Sequence, residues 1–557
     1  MAQRVHARWV LVLGILGGLS ASAAQHEHAE RSPKPAVLLP GMGNHHHPIT
    51  TNNPEAQQFF DQGLILAFAF NYDEAARSFR QAIALDPEAA MPQWGLAWVL
   101  GPRYAMAALT PGSEIFLDVD LKRERAAFEA VQNATRVSAH APENERRYIE
   151  ALAKRYSANP NASRRKLLTD YKDAIAQVAR QYPDDLDAAV LYAESIMDLR
   201  PWQLWKTDGT PEAGTLEAVG VLEAVLSRDP QHPGANHYYI HAVESSHNPE
   251  RALPSAERLM TLVPGAGHLL HMPGHIYYQT GDYEPLAITN ARAAQVDEEY
   301  IRRTGATGVY PLMLYPHNLQ FVAVARAAQG RYPEAKAAAE KLAAVATPTV
   351  PQMPMAEAWV AAPLFVQLRF QRWDEILAAP APAPEFVTAT ALWHFARSAA
   401  FGAKRQMEDA RKERDQFETA RKRVPADALY VNGNNSVEHV LKVAASVLEA
   451  RLAPDGRTAV GLWEKAVQAQ DALIYDEPPP WYYPVRESWG AALLRNGQAA
   501  EAEVVFREDL RQNRRNGRSL FGLMESLKAQ KKNMDAEWVR SEYEAAWKGD
   551  PLRIEDL

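Results

Sequence analysis

A spacing of about 34 residues between similar helical segments is the feature that most constrains the fold of this chain. The clearest unit spans residues 59–87, with small residues at Gly63 and Ala75, a large one at Phe79 and a helix breaker at Pro87. Small residues let two helices approach closely, and the aromatic ring fills the space to the next unit. The proline ends the second helix. The spacing predicts antiparallel helix pairs stacked in series.

The same register recurs four more times along the chain. Turn sequences begin at Gly281 and Gly330, and small residues at Gly490 and Ala502 precede Phe506 near the C-terminus. These residues resemble the tetratricopeptide repeat consensus. The resemblance implies an all-α fold, a solenoid of helical hairpins wound into a superhelix. No segment shows the alternating pattern that is typical of strands.

The chain divides into five parts by composition. They are a signal peptide (1–24), a histidine-containing polar leader (25–55), an N-terminal repeat lobe (56–377), an Ala/Pro spacer (378–384) and a C-terminal repeat-like lobe (385–557). The signal peptide is predicted from two early arginines, an apolar run and a small-residue cleavage site near Ala24. That run is too short for a membrane span. We therefore expect a soluble mature protein, periplasmic or extracellular, without a membrane span.

The charge and the cysteine content of the chain exclude several classes of function and of metal site. The net charge is −8 and both signs are mixed along the chain, so no basic stripe for nucleic acid is present. There are no cysteines, so a metal would have to be bound by His, Asp, Glu or Met. The sequence also contains no nucleophile elbow, phosphate-binding loop or dinucleotide fingerprint.

Histidines concentrate in one part of the repeats, where eight of the seventeen lie between residues 232 and 317. His237 and His241 are followed, one repeat later, by His271 and His275. In the tetratricopeptide family, positions 2, 5, 9 and 12 of the first helix face the concave groove. The resemblance places seven side chains there: His237, His241, Glu244, His268, His271, His275 and His317.

Two histidines four residues apart share one helix face, and two such pairs on adjacent helices could converge on one or two metal ions. Imidazole sites without thiolates suit copper, zinc, iron or nickel, and the exported setting favours copper over zinc or iron. Glu244 is also a candidate general base beside a metal-bound water. Pro273 complicates this interpretation, because a helix that starts near Met272 would make the pairing of His271 with His275 approximate.

The leader contains a second histidine run at His45, His46 and His47. Two interpretations stay open. The run is a disordered, solvated segment, or the leader folds back and donates one or two of these rings as metal ligands.

Two aromatic clusters lie beside prolines, one with Trp202 and Trp205, the other with Tyr482, Tyr483 and Arg486. They either line the groove and stack on a small-molecule ligand or pack between helix pairs.

The stretches HHHPITT, HPGANHYYIHAVE, PGAGHLLHMPGHIY and PPPWYYPVRESWGAALL resemble a histidine-rich group of exported bacterial tetratricopeptide proteins. That resemblance carries no reaction with it. The sequence thus predicts an exported metalloprotein, with a metal-dependent oxidoreductase as one enzymatic form. The alternatives are a non-catalytic periplasmic adaptor that binds a protein or peptide, and a metal carrier without turnover.

Overall fold

Helices make up the regular structure of the chain. The computed structural model describes residues 36–102, 104, 121–159 and 161–557, so the predicted signal peptide and the first part of the leader lie outside the described residues. In these ranges β-structure is confined to two isolated bridges. The all-α class is confirmed. None of the described helices is long and apolar enough to cross a bilayer.

The described helices follow one another along the chain. They are α1 (Pro54–Phe68), α2 (Tyr72–Leu85), α3 (Ala90–Leu100), α4 (Leu121–Val137), α5 (Glu143–Ala153), α6 (Arg164–Gln181), α7 (Leu186–Met197), α8 (Thr215–Arg228), α9 (Pro233–Val243), α10 (Leu253–Leu262), α11 (Gly267–His271), α12 (Pro273–Thr280), α13 (Tyr283–Thr304), α14 (Tyr315–Ala328), α15 (Tyr332–Ala346), α16 (Glu357–Val360), α17 (Ala362–Arg369), α18 (Trp373–Ala378), α19 (Val387–Ala403), α20 (Met407–Arg421), α21 (Val437–Arg451), α22 (Gly456–Asp471), α23 (Arg486–Arg495), α24 (Ala499–Gln512), α25 (Gly517–Ala529) and α26 (Asn533–Ala546).

The predicted repeat packing is present at both ends of the described chain. The Phe79 ring of α2 lies against Gly63 of α1 and Gly95 of α3, at positions where a Cβ atom would overlap the ring. Phe506 of α24 packs in the same way between a glycine of α23 and one of α25. A large side chain thus joins each helix pair to the next, as the hairpin-repeat prediction requires.

The predicted turns also form. Gly281, between α12 and α13, has a φ of +75°, and Gly330, between α14 and α15, has a φ of +81°. Glycine adopts this left-handed conformation without the steric cost that a Cβ atom adds. Each turn ends one helix and reverses the chain, so α12 pairs with α13 and α14 pairs with α15.

The C-terminal part of the chain packs back against its middle. Arg514 pairs with Glu250 at 3.0 Å. The amide nitrogen of Lys548 donates to the carbonyl oxygen of Gln329 at 2.7 Å. Gln279 of α12 donates to Glu477 at 2.8 Å. These contacts join residues that are between 198 and 264 positions apart in sequence.

The Ala/Pro spacer lies between α18, which ends at Ala378, and α19, which begins at Val387. The division into an N-terminal and a C-terminal lobe at this point stays a prediction.

Candidate metal centre

Six buried histidines lie together on the first helices of three consecutive hairpins. His237 and His241 belong to α9, and the others belong to α11, α12 and α14. We call them the six-histidine cluster: His237, His241, His268, His271, His275 and His317. None is more than 8% exposed. The repeat register that predicted a shared face thus brings all six into contact.

The six-histidine cluster consists of two triplets. The ligand-capable nitrogens of His237, His241 and His268 lie within 4.8 Å of one another, and those of His271, His275 and His317 do the same. Ring centroids of His241 and His275, one from each triplet, are 5.4 Å apart. The centroids of His268 and His271 are also 5.4 Å apart. Each triplet has room to bind one ion, and the two positions would be neighbours.

Pro273 interrupts the helix without separating the rings. The structure divides the segment into α11, which ends at His271, and α12, which begins at Pro273. Met272 between them keeps a helical backbone, with φ −53° and ψ −36°. The Nε2 atoms of His271 and His275 are 2.8 Å apart. Two nitrogen ligands of one ion, each about 2.0–2.1 Å from it, are separated by about 3 Å.

The Nδ1 atoms of the cluster face outward to oxygen acceptors. That of His237 donates to the carbonyl oxygen of Phe68. That of His241 donates to Glu244 at 3.0 Å. His271 donates to the Asn290 side-chain oxygen at 2.6 Å, and the Asn290 amide nitrogen donates to a backbone carbonyl, which fixes its orientation. An oxygen acceptor requires a proton on Nδ1, so Nε2 of each ring is left with its lone pair.

Two carboxylates lie behind the rings. The second oxygen of Glu244 accepts from His275 Nδ1 at 2.6 Å, so one glutamate orients one ring of each triplet. The carboxylate of Glu477 also lies against His275 Nδ1. Glu244 was predicted as a groove residue. Glu477 was missed, because it follows α22 in a segment without any repeat signal.

His317 is oriented more loosely. Its Nδ1 lies 3.4 Å from the side-chain oxygen of Gln320, which also accepts from Trp359 Nε1 at 2.9 Å. Five of the six rings therefore present Nδ1 to an oxygen.

Several inner nitrogens are buried without a hydrogen-bond partner among the described residues. They are Nε2 of His237, Nε2 of His241 and both nitrogens of His268. Leaving a buried polar atom unpaired costs about 1–3 kcal/mol, so their concentration in one place calls for a further partner. Nitrogen lone pairs turned toward a shared interior are the arrangement that a metal ion satisfies.

Burial and charge give the rings different protonation states. Burial lowers the pKa of His237, His241, His268 and His271 well below the ordinary value. Burial, with the nearby charge of His275, lowers the pKa of His317 to about 3. At His275 burial acts in the same direction, but Glu477 and Glu244 outweigh it and raise the pKa to about 10. Without a metal, His275 is the protonated ring, and its Nε2–H donates to His271.

Phenylalanines enclose both triplets. Phe70 stacks on His241 with centroids 5.5 Å apart and on His268 at 5.1 Å. Phe321 packs against His271 at 4.8 Å and against His317 at 4.9 Å. These apolar walls limit water access and strengthen electrostatic interactions inside the cluster.

The leader folds back, but onto a different group of residues. His45, His47 and His232 surround the carboxylate of Asp187, and we call these four residues the leader cluster. The side-chain oxygens of Asp187 lie 3.0 Å from His45 Nε2, 2.8 Å from His47 Nδ1 and 3.1 Å from His232 Nε2. His46 points away, is 57% exposed at its side chain and pairs with Asp61. The three leader histidines were predicted as metal ligands, and that role stays a prediction.

The ring nitrogens of the leader cluster have different partners from those of the six-histidine cluster. Nδ1 of His232 accepts a hydrogen bond from the Ala235 amide nitrogen at the start of α9, at 3.2 Å. Its proton is therefore on Nε2, which faces Asp187. Although burial opposes it, the Asp187 carboxylate raises the pKa of His45, and it raises that of His47 to about 9. The sequence did not single out Asp187, which lies at the start of α7, about 140 residues from the leader.

Comparisons with known proteins add the following. No family model matches the chain. No curated relative matches it either. Among solved structures, a chain of the APC/C hetero-tetramer Cut9-Hcn1 is 12% identical, with a TM-score of 0.31, covering 85% of this chain and 76% of that one. Yeast Tom70 is 11% identical, with a TM-score of 0.30 and coverages of 88% and 90%. Human IFIT1 with m7Gppp-AAAA is 12% identical, with a TM-score of 0.30 and coverages of 89% and 91%. The packing of phenylalanines against glycines of neighbouring helices defines the helical hairpins within the chain itself.

Proposed function

We propose that this protein is an exported metalloprotein that binds two transition-metal ions, one in each triplet of the six-histidine cluster. The observation that carries the proposal is the orientation of the rings. Five Nδ1 atoms face oxygen acceptors outside the cluster, while Nε2 atoms face a shared, buried interior. Rings buried only for packing would need partners for both nitrogens, since each unpaired one costs stability.

Copper is the favoured metal over zinc or iron. Each triplet offers three imidazole nitrogens, those of the second once His275 loses its proton, and Glu244 and Glu477 lie against Nδ1 atoms, behind the rings. Imidazole suits copper well, and copper(II) binds most tightly among the divalent first-row metals. The predicted signal peptide supports export, where a copper site without cysteine remains usable under oxidising conditions.

Two neighbouring ions that each exchange one electron suit a two-electron oxidation, so a metal-dependent oxidoreductase is the reaction class that we favour. Glu244 has a defined part in this proposal: it accepts from one ring of each triplet and holds both in place. Such carboxylate–histidine–metal arrangements fix the ring tautomer and raise the basicity of the ligating nitrogen.

The test is elemental analysis of protein expressed with its own signal peptide. We expect two ions per chain in the native protein and about one in His268→Ala or His317→Ala, which each remove a ligand from a different triplet. His439→Ala, at an exposed position of α21, is the matched control and should keep both ions. Native protein without bound metal would contradict the proposal and leave the adaptor that binds a protein or peptide.

Oxygen consumption by metal-loaded protein separates the two remaining forms. An oxidoreductase consumes dioxygen with a reducing substrate, whereas a carrier binds the same ions without turnover.

A further inference from the structure

A large cavity adjoins the six-histidine cluster. Its volume is about 1540 Å³, and residues from both the middle and the C-terminal part of the chain line it. Ligand cavities in proteins are typically about 300–1,000 Å³, so a molecule with one or several rings fits inside.

Three side chains form a wall common to the cavity and the cluster. Glu244, Trp202 and Gln320 all line the cavity. Glu244 bonds to His241 and His275. The Trp202 ring meets that of His241 edge-on, with centroids 5.2 Å apart. Gln320 lies beside His317. A ligand in the cavity would therefore be one side-chain layer from both triplets.

Aromatic rings from distant parts of the sequence face this space. They are Trp202, Trp205, Trp481, Tyr482 and Tyr483. Phe365, which also lines the cavity, stacks on Tyr482 with centroids 4.6 Å apart and planes 11° from parallel. Flat apolar walls of this kind recognise another aromatic ring by stacking.

The charges at the wall argue against an anionic ligand. Each of the four arginines that line the cavity is paired with a carboxylate, as Arg369 is with Glu487 and Arg486 is with Asp471. The lining also contains Lys206, which is exposed to solvent. The polar groups on the side of the cluster include Glu244, Gln279 and Gln320, of which the glutamate carboxylate only accepts hydrogen bonds. A neutral molecule with an aromatic ring and a hydroxyl donor matches both parts of the wall.

We propose that the cavity binds phenols and that phenols are the substrates of the proposed metal centre. The substrate role, but not the binding of phenols, rests on the proposed function. The ring stacks among Trp202, Trp205 and Phe365, and a hydroxyl donates to Glu244. Oxidation of a 1,2-diphenol to the quinone removes two electrons and two protons. Two ions held by the two triplets would each accept one of these electrons, and the two protons would pass to Glu244 and to water. Dioxygen accepts four electrons and four protons from two such turnovers and leaves as two waters.

The first experiment measures binding of 4-methylphenol to metal-free protein by calorimetry, which does not depend on the metal proposal. We expect saturable binding that is weaker for cyclohexanol and weakened about two- to tenfold by Trp205→Leu or Phe365→Leu, the range for loss of one aromatic contact. Trp538→Leu, at a 74% exposed position on α26, is the matched control and should bind as the native protein does. Circular dichroism checks that each variant is folded.

The second experiment supplies 4-methylcatechol and dioxygen to copper-loaded protein. We expect quinone formation with one dioxygen consumed per two quinones. Absent or non-saturable 4-methylphenol binding, or equal loss in Trp538→Leu, overturns the cavity assignment even where two ions are bound. Phenol binding with full copper content and no quinone overturns the substrate role. Phenol binding without any bound metal instead counts against the proposed centre.

Discussion

The six-histidine cluster and the leader cluster contain the same kind of side chain in similarly buried places, yet their nitrogens are used in opposite ways. In the leader cluster three rings point inward to a single carboxylate, Asp187. In the six-histidine cluster the carboxylates and carbonyls lie outside, and the ring nitrogens point inward to one another. A carboxylate thus lies at the centre of the leader cluster, whereas ring nitrogens lie at the centre of the six-histidine cluster.

The two clusters also differ in the charge of their histidine rings. Asp187 supplies the negative charge that keeps His47 protonated, so the leader cluster is held together by ion pairs to one carboxylate. The six-histidine cluster has neutral rings apart from His275. An added cation would meet little repulsion there once the proton of His275 leaves, whereas in the leader cluster it would have to displace charged partners.

The largest expected difference between the clusters is metal content. His241→Ala combined with His275→Ala removes a ligand from each triplet, and elemental analysis should find both ions lost. His45→Ala should leave the metal content unchanged. Helicity measured by circular dichroism should be the same in all variants. Loss of metal in His45→Ala would instead make the leader a source of ligands and remove the distinction.

The next effect is on stability. Asp187→Asn should lower the free energy of unfolding by about 3–5 kcal/mol, because protonated imidazoles would be left buried without their counter-charge. Metal content should not change. His46→Ala, which removes an exposed ion pair of the same leader, should cost no more than about 1 kcal/mol. Urea unfolding curves measure both, and equal effects would show that the leader cluster is not a buried ion-pair network.

The pH dependence of metal-free protein should separate the clusters as well. The pKa of His47 is raised to about 9, so its contribution to stability is complete below pH 6.5 and is lost as the pH rises to 9. The pKa of His317 is lowered to about 3, so its contribution is present above pH 6.5 and is lost as the pH falls. His275, raised to about 10, behaves like His47. A shift of one pKa unit corresponds to about 1.4 kcal/mol of unfolding free energy. The rise in the pKa of His47 from 6.5 to about 9 therefore corresponds to about 3 kcal/mol.

Unfolding curves between pH 5 and 9.5 test these signs. His317→Gln should flatten only the acid limb of the stability profile, and His47→Gln only the alkaline limb. If His317→Gln flattened the alkaline limb, or His47→Gln the acid limb, the protonation states described above would be contradicted.

The smallest expected effect concerns orientation of the rings. Glu244→Gln keeps the shape of the side chain but leaves one of its two Nδ1–H donors facing an amide group, and metal affinity should fall about 10–100-fold. Glu223→Gln, which alters a surface carboxylate paired with Arg251, is the matched control. Competition with a chelator of known affinity measures both. Equal affinity in the two variants would assign Glu244 to packing alone.

Repeat periodicity made much of the six-histidine cluster predictable. His237 and His241 recur as His271 and His275 because the repeat places equivalent positions on equivalent faces, and the structure brings those rings together despite Pro273. Phe79 and its glycines were predictable for the same reason, since local spacing decides how neighbouring hairpins pack.

The partners of the rings were not predictable in this way. Glu477 meets His275 only because the C-terminal helices pack back against α12, and Asp187 meets the leader across about 140 residues. No local period relates these pairs, and closing such long loops depends on the summed packing of many helices.

The sequence by itself determined the helical hairpins, their register and the face on which the repeated histidines lie, because these depend on contacts between neighbours in the chain. Only the tertiary structure decided which nitrogen of each ring meets an acceptor, and thereby which cluster has lone pairs to offer. The physical reason is that a hydrogen bond depends on distances of a few tenths of an ångström between side chains that the chain brings together from far apart.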